Sequence, residues 1–317
     1  FGERSLSCPA SWLNVTFQGD CLLVAGKMNK LQNPMVRVGL GTMMFGWKVP
    51  LQEASAILER CMSVGIGVID TSPSYGNGLS ETITGMALQK LDRNLITLAT
   101  KFYLEELPPG QLEAAIRSGL EGSLERLRVD RIDYFTLHND LNLPDFAALA
   151  GIIDKLKSEE LIREFHISNF SSRSILAVLA SPRLLDAIDG IHVRHNLLFR
   201  DDPLWRLHGQ RSLNTISFSP LCEGLLTGKY RARSDGSRPG GRLIEATRHR
   251  DYYDNLLKDE TAVKIEALVR VSGDKGLTLD EYAYQWVLER GQIDTMLMGI
   301  SSLAQFDLAV KKIGKLQ

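Results

Sequence analysis

From Met28 onward, short apolar runs of strand character alternate with amphipathic segments. The runs fall at residues 38–41, 67–69, 95–100, 131–137, 162–167, 190–193, 215–218 and 295–299. Between them, apolar positions recur at helical spacing. Ala54, Ile57, Leu58 and Cys61 mark one face of a segment at 51–64, and Leu112, Ala115, Ile116, Leu120 and Leu124 one face of 111–127. Further helices are predicted near 79–91 and at 144–157, 172–179 and 303–313. Strand–helix alternation of this kind predicts a parallel sheet, and eight units account for the length better as a closed (β/α)8 TIM barrel than as an open doubly wound sheet. A small hairpin at 28–31 and 35–38, joined through Gln32, Asn33 and Pro34, precedes the first strand. The stretch 231–250, after the seventh strand, lacks apolar periodicity and reads as a long functional or disordered loop.

Four polar residues stand just past or at the ends of these runs: Asp70, Tyr75, Lys101 and His138. If the runs are successive parallel strands, all four meet at one mouth of the barrel, the C-terminal rim where such folds build active sites. Each has an ordinary structural reading as a cap, a half-buried aromatic, a rim charge or a core histidine; their joint placement is what points to chemistry. A phenol titrates near pH ~10 and is a reluctant acid alone. An adjacent ammonium favours phenolate and is expected to lower that value. An aspartate paired with the lysine keeps its charge in place where an unpaired one would be costly. The imidazole can orient a carbonyl oxygen. The set suits hydride addition to carbon with a proton delivered to oxygen, and the reverse.

Composition narrows the classes further. The chain has 317 residues, 44% of them hydrophobic, enough for a large core, and a formal charge of −1 without a clustered basic face. That argues against a nucleic-acid partner, and no apolar stretch approaches the ~20 residues of a membrane span. Cys8, Cys21, Cys61 and Cys222 lack metal-ligand spacing and read as reduced, incidental thiols of a cytoplasmic protein, with no metal. Residues 1–27 carry no signal-peptide pattern and read as an upstream extension or cloning artefact, leaving 28–317 as a single barrel domain.

No Gly-x-Gly-x-x-Gly follows an early strand, so a Rossmann dinucleotide site is not indicated. Over roughly Met28 to the C-terminus the chain instead resembles the aldo-keto reductase superfamily, in the branch holding potassium channel β subunits and bacterial relatives. The resemblance rests on ordered segments: Gly39-Leu40-Gly41-Thr42-Met43, Asp70-Thr71-Ser72-Pro73-Ser74-Tyr75-Gly76, Ala99-Thr100-Lys101-Phe102 and Arg131-Ile132-Asp133-Tyr134-Phe135-Thr136-Leu137-His138. Ser168-Asn169-Phe170, Ser219-Pro220-Leu221, Gly224 through Tyr230 and Gly299-Ile300-Ser301 complete it.

The resemblance implies a barrel that binds NADP(H) across its C-terminal rim and reduces a small-molecule aldehyde or ketone. It implies Tyr75 as general acid, Lys101 as its modulator, Asp70 as the lysine's partner and His138 as carbonyl orienter. It places Ser168, Asn169 and His192 at the nicotinamide amide, His192 standing where relatives carry glutamine, and Phe218 on the nicotinamide ring. Gly41, Thr42, Met43, Ser219, Leu221, Gly224 and Lys229 line the cofactor path, and Ser301 and Gln305 lie near the adenosine. The loop cations Lys229, Arg231, Arg233, Arg238, Arg242, Arg248 and Arg250 offer partners for a 2′-phosphate, Arg242 being the one selected. Trp47, Tyr103 and Asn139 follow strand ends and are the expected substrate-pocket residues. Leu308 and Ala309 depart from the Glu and Asn that relatives often use for adenine. Two other classes stay open: an NADP(H)-binding sensor subunit with little turnover, and a barrel isomerase or aldolase using Lys101 as a Schiff-base lysine.

Overall fold

The computed structural model describes residues 37–104, 108, 110–140, 146–208, 210–230, 240, 242–245 and 250–316. The extension at 1–27 and the hairpin, apart from its last two residues, lie outside the described residues, as does most of the loop at 231–250.

Eight parallel strands close into a barrel in chain order, with β1 pairing both β2 and β8. They are β1 Arg37–Gly41, β2 Val68–Asp70, β3 Thr97–Phe102, β4 Ile132–Leu137, β5 Ile162–Ser168, β6 Gly190–Arg194, β7 Asn214–Phe218 and β8 Thr295–Gly299. The first five connections carry α1 Leu51–Ser63, α2 Leu79–Leu88, α3 Leu112–Leu127, α4 Phe146–Ser158, and the pair α5 Ser172–Leu179 and α6 Pro182–Ala187. After β6 comes the single turn α7 Trp205–His208. The long β7–β8 crossover carries α8 Arg242–Glu245, α9 Arg250–Leu256, α10 Asp259–Asp274 and α11 Leu279–Leu288, and α12 Leu303–Gly314 closes the chain.

The predicted strands all form, shifted by at most two residues at either end; β3, for instance, starts at Thr97 because Arg93–Leu95 form a 3-10 turn capped by Asp92. The excursion at 231–250 is not wholly irregular, since it holds α8 and the first residue of α9. The sequence pattern also omitted α6, α7, α10 and α11. The last of these carries a signal that could have found it: Thr278 and Glu281 form a reciprocal capping box.

Two layers of core hold the fold. The larger lies between barrel and helices, where Leu40, Ile57, Leu58, Ile69, Leu98, Ile116, Leu120, Phe135 and Phe165 are fully buried or nearly so. Each such side chain contributes about 1.5–3 kcal/mol on leaving water. The smaller layer fills the barrel itself with Val68, Ala99, Tyr134, Ile216 and Leu297, and Phe218 packs at its upper edge. Close helix contact needs small residues: a Cβ added to Gly85 of α2 would sit 2.4 Å from the Arg126 carbonyl of α3. Side chains alternate in and out along each strand, so Asp70, Lys101 and Ser168 arrive at the C-terminal mouth on the ends of β2, β3 and β5.

Candidate active site

Lys101 is the hub. Its Nζ donates to Asp70 Oδ1 at 2.5 Å, to the Thr71 carbonyl at 2.8 Å and to Tyr75 OH at 3.3 Å. Asp70 and Lys101 are both buried. The loop after β2 turns Tyr75 back over the lysine, whose Nζ lies 4.9 Å from the ring centroid. Thr42 supports this loop from β1, its amide and hydroxyl both donating to the Asp70 carbonyl. Thr42 also shares a hydroxyl contact of 2.8 Å with Ser80.

His138 follows β4 directly and completes the group, its ring 6.1 Å from that of Tyr75. Its amide donates to the Phe102 carbonyl and its carbonyl accepts from Asn169 Nδ2, which fixes the backbone between β3 and β5. Nδ1 lies 3.3 Å from Ser72 Oγ. Tyr103 leans over the imidazole with centroids 4.6 Å apart and donates its hydroxyl to Ser74 Oγ. Strand ends alone do not single out Ser72 and Ser74; the small hydroxyls interleaved between Asp70 and Tyr75 are the signal for them.

The electrostatics differ in one respect from the sequence expectation. Burial pushes the Tyr75 phenol above its ordinary value, and Lys101 offsets only part of that. The reason is that the ammonium is already engaged by Asp70 at the shorter distance. Tyr75 therefore rests as a phenol, a proton donor in waiting. Burial would lower Lys101, but Asp70 and then Tyr75 beside it carry its value upward. Burial, helped by the charge of Lys101, drives His138 down to about 2, so the imidazole is neutral across the working range.

The expected cofactor residues occupy the same rim. Ser168 ends β5, buried, with its hydroxyl turned to the His192 carbonyl at 3.4 Å and accepting from Asn169 Nδ2 at 3.0 Å. Phe218 ends β7, half-buried over the barrel interior. After it, Ser219, Cys222, Glu223 and Gly224 all have positive φ, and the chain winds through a 3-10 segment to Gly228. Within it the Cys222 and Gly224 amides donate to the Ser219 and Leu221 carbonyls, and the left-handed residues curl the chain as phosphate-binding backbone does. Ser219 Oγ donates to Glu223 Oε1 at 2.8 Å, while Lys229 Nζ lies over the Tyr230 ring. Ser301 and Gln305 meet at the start of α12, the serine amide and hydroxyl both donating to Gln305 Oε1. Gly41 and Gly299 end β1 and β8, and a Cβ at Gly299 would meet nothing within 4 Å. Met43 lies just beyond, half-buried, and Leu221 precedes the 3-10 turn. Arg242 begins α8, but its side chain lies outside the described residues.

His192 sits deeper, 1% exposed, with its ring nitrogens facing Asp70, His166 and Thr136. Of the expected substrate residues, Tyr103 touches His138, Asn139 lies one residue past it, and Trp47 is exposed on the β1 loop with Lys48 over its ring. Both Leu308 and Ala309 lie on α12, the first exposed and the second buried. Cys61 and Cys222 are free and buried, their thiols pushed up to about 12. Among the described residues, no helix is long and apolar enough to cross a membrane.

The chain is similar to a probable voltage-gated potassium channel subunit beta of Oryza sativa subsp. japonica, 26% identical over 272 residues that cover 80% of each chain. It is 29% identical over 297 residues to the NADH-specific methylglyoxal reductase of Escherichia coli, covering 85% of this chain and 87% of that one. Among solved structures, its fold matches the glycerol dehydrogenase of Gluconobacter oxydans at TM-score 0.67, with 24% identity over 89% of this chain and 90% of that one. It also matches an aldo/keto reductase from Klebsiella pneumoniae in complex with NADP and acetate at TM-score 0.64, with 21% identity over 88% and 89%. The model of the aldo/keto reductase family matches residues 37–314, and with the closed barrel and the rim cluster this chain belongs to that family.

Proposed function

We propose that this chain reduces an aldehyde or ketone to the corresponding alcohol with NADP(H), Tyr75 supplying the proton. One observation carries the reading: a buried ammonium joins Asp70, the Thr71 carbonyl and the Tyr75 phenol, beside a neutral imidazole at the barrel mouth. The bound cofactor would supply the hydride. Ser168 and Asn169 would hold its amide, Phe218 its ring face, and Gly41, Thr42 and Met43 the floor beneath. Ser219, Leu221, Gly224 and Lys229 would cradle its phosphates, and Arg242, Ser301 and Gln305 its adenosine end. The fit rests on the left-handed turn after β7 and the open space at Gly299.

The chemistry of the chain's own groups follows from their states. Ser72 donates to His138 Nδ1, leaving Nε2–H free to grip the substrate oxygen. This tautomer is the one the reaction needs, a donor on Nε2, and the 3.3 Å contact with the Ser72 hydroxyl accommodates it. Because His138 is neutral, it orients and does not give up the proton. Tyr75 gives its proton to the forming alkoxide, and Lys101 stabilises the phenolate that remains. Trp47, Tyr103 and Asn139 would border the substrate. Residues 28–317 act as one catalytic domain in this reading.

Quenching of intrinsic fluorescence by NADPH and by NADH, followed by a panel of carbonyls, tests it. The comparison of nucleotides matters because the Escherichia coli relative is named as NADH-specific. Consumption of NADPH with a carbonyl supports the reductase. Tight binding without turnover across the panel favours a sensor subunit, and no binding of either nucleotide ends the oxidoreductase reading.

A further inference from the structure

Below the catalytic lysine, the barrel interior holds a file of polar side chains that the reaction above does not use. His166 and His192 are 0% and 1% exposed, with His166 Nδ1 and His192 Nε2 3.2 Å apart. At its far side His166 Nε2 lies 3.0 Å from Glu164 Oε2, which also accepts from Asn214 Nδ2. The ring stacks on Tyr134 with centroids 4.5 Å apart. Gly190 makes room for it, since a Cβ there would lie 2.6 Å from two atoms of the imidazole. At the near side His192 Nδ1 lies 3.9 Å from Asp70 Oδ2. That oxygen is buried and has no hydrogen-bond donor among the described residues.

Without an extra proton the file cannot satisfy all of its contacts. A carboxylate only accepts, so His166 Nε2 carries a hydrogen toward Glu164. Between the two rings, one nitrogen must donate and the other accept. If His192 Nε2 donates and both rings are neutral, His192 Nδ1 turns a lone pair toward Asp70 Oδ2, leaving two acceptors face to face; only a further hydrogen on Nδ1, making His192 the cation, relieves this. If His166 Nδ1 donates, His192 carries its hydrogen on Nδ1, aimed at the orphaned oxygen, and a closure of about 1 Å makes a hydrogen bond. With Asp70 ionised against Lys101, the arrangements that give every buried polar atom of the file a complementary partner all place one extra proton on the two rings.

We propose that His166 and His192 form a buried pair with a single positive charge, which links Glu164 to Asp70 and holds the aspartate behind the catalytic lysine. This rests on the reductase reading for its consequence, though not for its chemistry. Asp70 then accepts from Lys101 on one oxygen and from His192 on the other, so its orientation is fixed at both ends. The pair's charge offsets one of the two carboxylates, as Lys101 offsets the other. The extra proton is assigned to His166 on geometry, because its ring faces the Glu164 carboxylate at 3.0 Å, whereas His192 lies 3.9 Å from an Asp70 already paired with Lys101. The charged and titratable groups facing the pair are Glu164 on β5, Asp70 on β2, Lys101 on β3, Tyr134 on β4 and His138 just past β4. His166 and His192 are positioning residues, acting through Asp70.

Full-length protein labelled with 15N-histidine tests the proposal without any need for turnover. Counting N–H protons on the two rings at neutral pH should give three, with His192 Nε2 the single bare nitrogen. Two N–H protons, one on each ring, would overturn it, as would a proton found on the Asp70 carboxyl by 13C spectra. In His166→Gln, His192 loses its fixed tautomer and Asp70 its second donor. The acid limb of kcat should then move to higher pH and kcat fall on the order of tenfold, with NADPH affinity unchanged. An unmoved acid limb would overturn the positioning role. Should His166→Gln not fold, Glu164→Gln at the half-exposed end removes the anion that holds the extra proton, and the count should drop to two; a count still at three overturns the linkage. A native chain that reduces no carbonyl would refute the function above, while the proton count still decides this proposal.

Discussion

Replacing Asp70 with asparagine removes one charge from a pair in which both side chains are about 95% buried and 2.5 Å apart (side-chain exposures 6% and 5%). The ammonium of Lys101 then stays in a dry site with the Thr71 carbonyl and Tyr75 phenol as its neutral partners. Breaking a buried pair by neutralising one member costs about 3–5 kcal/mol, and the asparagine carbonyl, still able to accept, favours the lower figure. For a chain of this size that is a fall in Tm of roughly 4–8 °C. Burial already opposes the charge on Lys101, and Asp70 is what carries its value upward, so the lysine's value drops in the variant. A lysine that sheds its proton no longer stabilises the phenolate, and the lost charge-assisted bond of about 1.5–3 kcal/mol lowers kcat by about 10- to 150-fold. Thermal unfolding at pH 7 and NADPH consumption measured on the same preparation check both numbers. A Tm within 2 °C of the native chain and a kcat within about twofold would refute the reasoning, because the pair would then be neither structural nor catalytic.

Three further outcomes are expected. The His138 imidazole should show no titration between about pH 5 and 8 by NMR, since its value lies at about 2; a midpoint near 6.5 would show that the mouth is wetter than its burial implies. Burial opposes the charge on Glu164, yet the bonds from His166 and Asn214 together draw it down to about 2, so it gives stability that is fully present above its unfolded value near 4.3. Glu164→Gln should thus be less stable by about 1–2 kcal/mol at pH 7, with the gap to the native chain closing as pH falls from about 4 toward 2; a gap that widens in acid would be the wrong sign. Gly85→Ala would gain about 1 kcal/mol by helix propensity in open solvent, yet here should lower stability by about 1–3 kcal/mol, because the new methyl meets the Arg126 carbonyl at 2.4 Å.

The strands were legible because a buried parallel barrel writes short apolar runs, and their polar ends marked the rim. Asp70, Tyr75, Lys101 and His138 do come together, since each rides on or just past a strand end. What periodicity could not supply was the order of strength among contacts. That Asp70 captures Lys101 more closely than Tyr75 does, and so leaves the phenol raised, depends on distances that spacing does not encode. The stretch 231–250 reads as loop because α8 is a single turn and α9 only begins there, while α10, beyond it, escapes periodicity because its buried stripe is narrow, at Ile265 and Ser272. His166 was missed although Glu164, His166 and Ser168 fall at alternate positions of β5, the spacing of one strand face. A polar file on a strand buried on both sides was the signal to follow.

The most direct test of the central claim is NADPH consumption by the native chain and by Tyr75→Phe on one reducible carbonyl, with nucleotide binding measured on both. The account predicts equal NADPH affinity and a loss in kcat of about 10²–10⁴-fold in the variant, because only the proton has been removed. A Tyr75→Phe chain that turns over at the native rate would contradict it, and another group would have to deliver the proton.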